Sequence, residues 1–167
     1  MIRYVETAFN TAKVSEITGV SSRQLAYWDR IGLLQPSFKK ALGKGSRRLY
    51  SLRDLVELTI IARLLDSRVP LQRIRKSFSC IRSLSIPLSE LEIVSNGHTI
   101  YACKTGDFVV DTLRHGQTVL KLVVADLMRE VEERAAAIGV YGELSESGSP
   151  VPAATSRAGR GEHLHET

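Results

Sequence analysis

The chain has 167 residues, of which 43% are hydrophobic, 25% charged and 6% aromatic, a balance suited to one globular domain or a small domain with an accessory unit. No apolar run approaches the roughly 18–20 residues of a membrane span, Met1-Ile2-Arg3-Tyr4-Val5-Glu6 lacks the apolar core of a secretory signal, and two cysteines make no disulfide framework, so a cytoplasmic protein is expected. The net charge of +5 is unevenly spread, with 16 Lys and Arg against 6 Asp and Glu in residues 1–86 and 7 against 12 in residues 87–167.

A basic half joined to an acidic half fits a polyanion-binding module followed by one that does not touch the polyanion, although a merely solvated basic surface has the same balance. Order and spacing along the chain decide between them. Residues 11–18 predict a short helix with Ala12, Val14 and Ile17 available for packing, ended by Gly19. The chain restarts at Ser21, which stands three residues before Gln24 in capping-box spacing and opens a second helix ending near Gly32. Two short helices across a tight glycine-containing turn make a helix-turn-helix pattern.

Residues 33–50 predict a β-hairpin with Leu33-Leu34 and Arg48-Leu49-Tyr50 as its strands. Its tip would be a flexible basic loop containing Pro36, Gly43, Gly45, Lys39, Lys40 and Lys44. Ser51 and Asp54 repeat the capping logic before a longer helix with Leu55, Leu58, Ala62 and Leu65 as its stripe. After Pro70, a further helix places Leu71, Ile74, Phe78 and Ile81 on one side and Arg73, Arg75, Lys76 and Arg82 elsewhere.

Beyond Pro87 the pattern changes. Leu91-Glu92-Ile93-Val94 and Thr99-Ile100-Tyr101-Ala102 flank Asn96-Gly97, a hairpin turn in which both residues accept positive φ. Thr105-Gly106-Asp107 turns the chain again, Phe108 to Leu113 suits strand or helix, and Thr118 to Val124 is β-rich. Residues 125–138 predict an amphipathic helix stopped by Gly139. From about Leu144 the chain is rich in Ser, Gly, Pro and Ala, so residues 144–167 are expected to be a disordered tail.

Three stretches of the first half recur together in one known family: Val14-Ser15-Glu16-Ile17-Thr18-Gly19-Val20-Ser21, then Arg23 through Leu34 (Arg-Gln-Leu-Ala-Tyr-Trp-Asp-Arg-Ile-Gly-Leu-Leu), then Arg48-Leu49-Tyr50-Ser51. In this order and separation they resemble the winged helix-turn-helix DNA-binding domain of MerR-family transcriptional regulators. The likeness runs from about residue 8 to 85. It implies that Arg23, Tyr27, Arg48 and Tyr50 lie at the DNA, and it leaves the part after Pro87 unmatched. Ala26 stands where the family frequently has an arginine, so one phosphate contact expected by resemblance is absent.

The residues support the same reading on their own chemistry. A helix start bearing Ser21, Ser22, Arg23 and Gln24 offers backbone N–H groups, hydroxyls, a guanidinium and a carboxamide, the groups that anchor on phosphates and reach base edges. Tyr27, one turn on, offers a phenolic hydroxyl to phosphate. Arg47 joins Lys39, Lys40 and Lys44 as counterion-releasing contacts of the wing. Trp28 suits the core, and Arg30 suits either an acidic partner or DNA.

The expected architecture is therefore mainly α with small β: a winged helix-turn-helix domain at residues 8–85, a small α+β module at 88–140, and the tail. The family usually dimerises through a long helix, which Pro87 and the Asn96-Gly97 hairpin interrupt here. Leu127, Val131, Ala135 and Ile138 form a helical stripe that would serve either dimerisation or the covering of the small sheet, and both readings stand at this point. His98, His115, Cys80 and Cys103 have no metal-ligand spacing, Asp107 and Asp111 suit a solvated turn, and no nucleophile–base group appears. Neither metal, cofactor nor catalysis is expected, and the module at 88–140 would serve dimerisation, a partner or a small-molecule effector. The resemblance implies a homodimer on double-stranded promoter DNA, distorting it so that RNA polymerase engages. An excisionase-like architectural factor built on the same winged helix is the alternative.

Overall fold

The computed structural model describes residues 7–38, 47–106 and 120–138. The described residues are mainly helical, with two small antiparallel sheets. They begin with a two-residue strand β1 (Phe9–Asn10), whose Asn10 caps helix α1 (Thr11–Thr18) by accepting the Lys13 N–H at 3.0 Å. Gly19 ends α1 at φ 75, a left-handed conformation that costs a Cβ-free residue little. Helix α2 (Ser22–Arg30) follows at once. Its C-terminus closes in a Schellman pattern, Leu33 N–H to Trp28 O at 2.9 Å and Gly32 N–H to Asp29 O at 3.1 Å.

That pattern explains why Leu33 and Leu34 do not form the expected strand. Both side chains are buried, whereas strand alternation would turn one of them to water. The pairing partner of β2 (Leu49–Tyr50) is instead β1, in the register Phe9 with Tyr50 and Asn10 with Leu49. Among the described residues, a backbone hydrogen bond from Phe38 N–H to Leu49 O at 3.3 Å joins the two limbs of the wing segment.

Helix α3 (Leu52–Asp66) starts with the expected box at Ser51 and Asp54. It is buried round most of its girth: beyond Leu55 and Leu58, Val56, Ile60, Ile61 and Leu64 lie in the core, while Ala62 and Leu65 are only partly covered. The expected stripe was too narrow because α3 is packed by α1, β2 and α4 (Leu71–Ser83) and also by the C-terminal helix α5 (Val124–Ile138). On α4, Ile74 and Phe78 are buried with Leu71 and Ile81 packed beside them, as the spacing requires. Arg82 departs from expectation by turning inward, its Nη2 reaching Glu57 Oε2 at 2.8 Å and Leu33 O at 3.0 Å.

After a short 3-10 turn at Leu88–Glu90, strands β3 (Leu91–Ser95), β4 (Ile100–Lys104) and β5 (Leu120–Val123) make an antiparallel sheet in the order β4-β3-β5. The hairpin falls at Asn96-Gly97, but only Gly97 has positive φ, at 83. Ser95 faces Ile100, so the loop has four residues, held by Asn96 Oδ1 accepting the His98 and Thr99 N–H groups at 3.0 and 2.8 Å. Leu91, Ile93 and Leu122 join the core, and the buried carboxylate of Glu92 is answered by Lys121 Nζ at 2.7 Å. The expected segments at Phe108–Leu113 and 144–167, with Asp107, Asp111 and His115, lie outside the described residues.

Pro87 does not mark the limit of the core. Leu127, Val131 and Ala135 are buried in the same cluster as Val14, Ile17 and Leu64, with Ile138 packed against it. The stripe considered for dimerisation is thus occupied within the chain, because α5 lies on α1, α3 and the sheet. Polar links follow the same path: Arg134 Nη1 donates to Ile17 O at 3.1 Å, and Glu130 receives Arg63 at 3.0 Å and Arg134 at 2.7 Å. Among the described residues, no helix is long and apolar enough to cross a membrane.

Candidate nucleic-acid interface

The start of α2 is fixed by a complete capping box. Gln24 N–H donates to Ser21 Oγ at 3.2 Å, and Gln24 Oε1 accepts from both the Ser21 N–H and the Ser21 hydroxyl at 2.9 Å. This changes the chemistry open to Gln24. A bidentate grip on adenine needs the carboxamide oxygen as well as its NH2, and the oxygen is engaged in the cap. Gln24 therefore presents a donor only. Ser22 is exposed at the same helix start, its hydroxyl 3.5 Å from that of Ser15.

Arg23, Gln24 and Tyr27 are exposed in succession along α2, while Leu25 and Trp28 point into the core. Tyr27 keeps 42% of its surface in solvent, a large value for an aromatic ring. Arg30 lies over that ring, its guanidinium carbon 5.3 Å from the centroid. Arg23, Gln24, Ala26, Tyr27 and Arg30 together line one open concavity on the helix face. Arg30 has no carboxylate partner among the described residues, although Asp29 is its chain neighbour.

Asp29 is taken by the wing. Arg48 Nε donates to Asp29 Oδ2 at 2.8 Å, so the arginine expected at the DNA is also a strut from the residue preceding β2 to α2. Arg47 beside it is exposed. Across the wing base, Asp54 accepts the Ser37 N–H at 2.9 Å and the Ser37 hydroxyl at 2.6 Å, tying the limb to the start of α3. Lys39, Lys40 and Lys44 lie outside the described residues.

Tyr50 is the clearest departure from the expected surface. Its ring is 1% exposed, and its buried hydroxyl has no hydrogen-bond partner among the described residues. It is a core residue under the wing. Burial pushes its pKa up to about 12, with Arg48 opposing the rise and Asp29 and Asp54 adding to it. A raised pKa means that the folded state favours the neutral phenol. Its contribution is whole below the ordinary value near 10 and is lost as pH climbs through about 12. Tyr50→Phe should therefore leave stability at neutral pH unchanged or higher by about 1 kcal/mol, since it removes an unpaired buried hydroxyl. Alkaline denaturation should show a flatter fall above pH 10 in the variant than in the parent. A tenfold loss of DNA affinity in Tyr50→Phe would restore the contact that the resemblance implies.

The residues that the sequence reading missed act through others: Asp29 holds Arg48, and Arg134 reaches the end of α1. The spacing of Tyr27 and Arg30, three apart on a helix, was the signal available for their stacking. Cys80 is exposed and Cys103 half-buried, and among the described residues no group of three His, Cys, Asp or Glu side chains is placed to hold a metal ion.

The model of the family described as MerR HTH family regulatory protein matches residues 9–79. An uncharacterized HTH-type transcriptional regulator of Mycobacterium tuberculosis is 37% identical over 139 residues, covering 83% of this chain and 61% of the relative. A counterpart from Mycobacterium bovis matches to the same extent. The HTH-type transcriptional regulator HmrR of Sinorhizobium medicae is 29% identical over 89 residues, 53% of this chain and 58% of the relative. The chain thus spans 61% of the length of the mycobacterial relatives. An alignment of 139 residues is too long for the helix-turn-helix alone, so the likeness to those proteins extends beyond Pro87.

Proposed function

Residues 9–79 belong to the MerR HTH family of regulatory proteins, and from this premise we propose that the chain is a transcription regulator that binds promoter DNA as a homodimer through α2 and the wing. The observation that carries the reading is the exposed face of α2, where Ser22, Arg23, Tyr27 and Arg30 project from a helix locked by its capping box. Such a face brings hydroxyls and guanidinia to phosphates and base edges without further ordering of the helix. Arg47 is exposed and adds positive charge beside this face, and the sequence supplies Lys39, Lys40 and Lys44 as further counterion-releasing groups.

Two copies on one duplex would place their α2 helices in successive major grooves, roughly 34 Å apart, and so read a pseudo-palindrome. Distortion of the DNA between them, bringing promoter elements into register for RNA polymerase, is the regulatory act consistent with the family. We place the dimer surface elsewhere than the Leu127–Ile138 stripe, because Leu127, Val131 and Ala135 are buried within one chain and Ile138 packs beside them.

Selection of bound sequences from a random duplex pool, followed by salt titration, tests the proposal. A two-fold symmetric site should emerge, with affinity falling steeply as salt rises. Arg23→Ala should lose about 1–3 kcal/mol of binding to the selected site. Equal affinity of parent and variant for the selected site would refute the assigned surface. Mapping of bound sites in the genome to an attachment site rather than to promoters would replace regulation with an architectural role.

A further inference from the structure

We infer that Arg30, stacked on Tyr27, forms with Arg23 a clamp for one DNA phosphate in the concavity above Ala26. The inference rests on the proposed DNA binding and assigns a specific contact to Arg30, for which the sequence left an acidic partner or DNA open. Three observations converge on it.

The concavity is lined by Arg23, Gln24, Ala26, Tyr27 and Arg30 and by no acidic side chain. Arg23 and Arg30 lie seven residues apart, two turns of the helix, so both guanidiniums flank the small side chain of Ala26 on one face. Ala26 stands where a longer residue would fill the space between them. Its methyl leaves room for a tetrahedral anion at a place where two guanidiniums and a phenolic hydroxyl are within side-chain reach.

The charge of Arg30 is also unspent. Its neighbour Asp29 is bound to Arg48 at 2.8 Å, and no carboxylate among the described residues pairs with Arg30. Its position over the Tyr27 ring, at 5.3 Å, settles the long side chain before any ligand arrives. A guanidinium held in this way loses less conformational freedom on binding than a solvated one. Its planar fork then matches two oxygens of a phosphodiester.

Binding of the full chain to its selected duplex, followed across a salt series, tests the clamp. Arg30→Ala should reduce affinity about five- to tenfold and make the slope of log K against log salt shallower by about one per bound protomer. Arg30→Lys should regain the slope but not the full affinity. Tyr27→Phe should retain the slope, and Tyr27→Leu should lose affinity through loss of the stack. A scan replacing single phosphates with neutral methylphosphonates should find one position per half-site that weakens the parent more than it weakens Arg30→Ala, in which Arg23 alone still meets that phosphate.

The clamp is overturned if Arg30→Ala keeps the parental slope, or if every methylphosphonate weakens parent and variant alike. Both results are interpretable because Arg30 is exposed, and its replacement should leave the melting curve unchanged. A parent chain with no salt-dependent DNA binding would instead sink the proposed function on which the clamp rests.

Discussion

Val131→Asp is expected to unfold the helix-turn-helix together with the C-terminal helix in which the substitution lies. Val131 is 1% exposed, and it shares a core with Val14 and Ile17 of α1 and Leu64 of α3. A carboxylate placed there enters an apolar core, and an uncompensated buried charge costs on the order of 3–5 kcal/mol. Domains of this size are stable by only about 5–15 kcal/mol, so the loss is a large part of the whole. The polar links along α5 do not offset it. Arg63 to Glu130 and Arg134 to Glu130 are partly exposed pairs, each worth at most about 1 kcal/mol. Thermal unfolding followed at Trp28, which lies in α2, should show a lower transition in Val131→Asp, while Glu133→Ala on the exposed face should leave it in place. An unchanged Trp28 transition in Val131→Asp would mean that the two halves fold independently.

This shared core is the part of the fold that the sequence concealed. Local signals were legible wherever a residue acts on its own backbone: the bounds of α1, the boxes at Ser21 and Ser51, the hairpin at Asn96-Gly97 and the helix ending at Ile138. Each depends on residues within a few positions of one another. What was hidden depends on partners far away in sequence. Periodicity shows that Leu127, Val131, Ala135 and Ile138 share a face, but not whether that face meets a second chain, the sheet or α3. The extra buried positions on α3 reflect the same difficulty, because Val56, Ile60 and Ile61 look superfluous until α5 is placed. The pairing of β2 with β1 rather than Leu33-Leu34 likewise could not be read from β2 itself.

The candidate site divides along the same line. Ser22, Arg23 and Tyr27 are exposed as the helix-start chemistry required. Arg48 and Tyr50 carry signatures of a wing, yet one is a strut to Asp29 and the other is core. Residue type names a capacity, and only the fold decides whether water, protein or a ligand meets it.

Arg82→Ala should cost about 2–3 kcal/mol in stability and also weaken DNA binding, although Arg82 lies on α4, well removed in sequence from α2. The guanidinium makes three contacts at once: Nε and Nη2 to Glu57 Oε2 at 3.2 and 2.8 Å, and Nη2 to Leu33 O at 3.0 Å. Removing it leaves Glu57, whose side chain is 11% exposed, with Arg53 at 3.3 Å as its remaining ion-pair partner among the described residues, and that arginine is itself largely in water. Arg82 is 37% exposed, so solvent screens part of the loss and the cost should fall below that of breaking a fully buried pair. The Leu33 contact links this pair to function, because Leu33 closes the C-terminal turn of α2 through its bond to Trp28. Loosening it frees the end of the helix that carries Tyr27 and Arg30. Glu57→Gln should recover part of the stability lost in Arg82→Ala by removing the stranded charge, but it should not recover the DNA affinity, since the Leu33 carbonyl remains without its donor. Denaturant titration and DNA titration of the two single variants and the double variant would measure both terms. Recovery of affinity together with stability would show that Arg82 acts on DNA binding through the core alone, and not through the turn that ends α2.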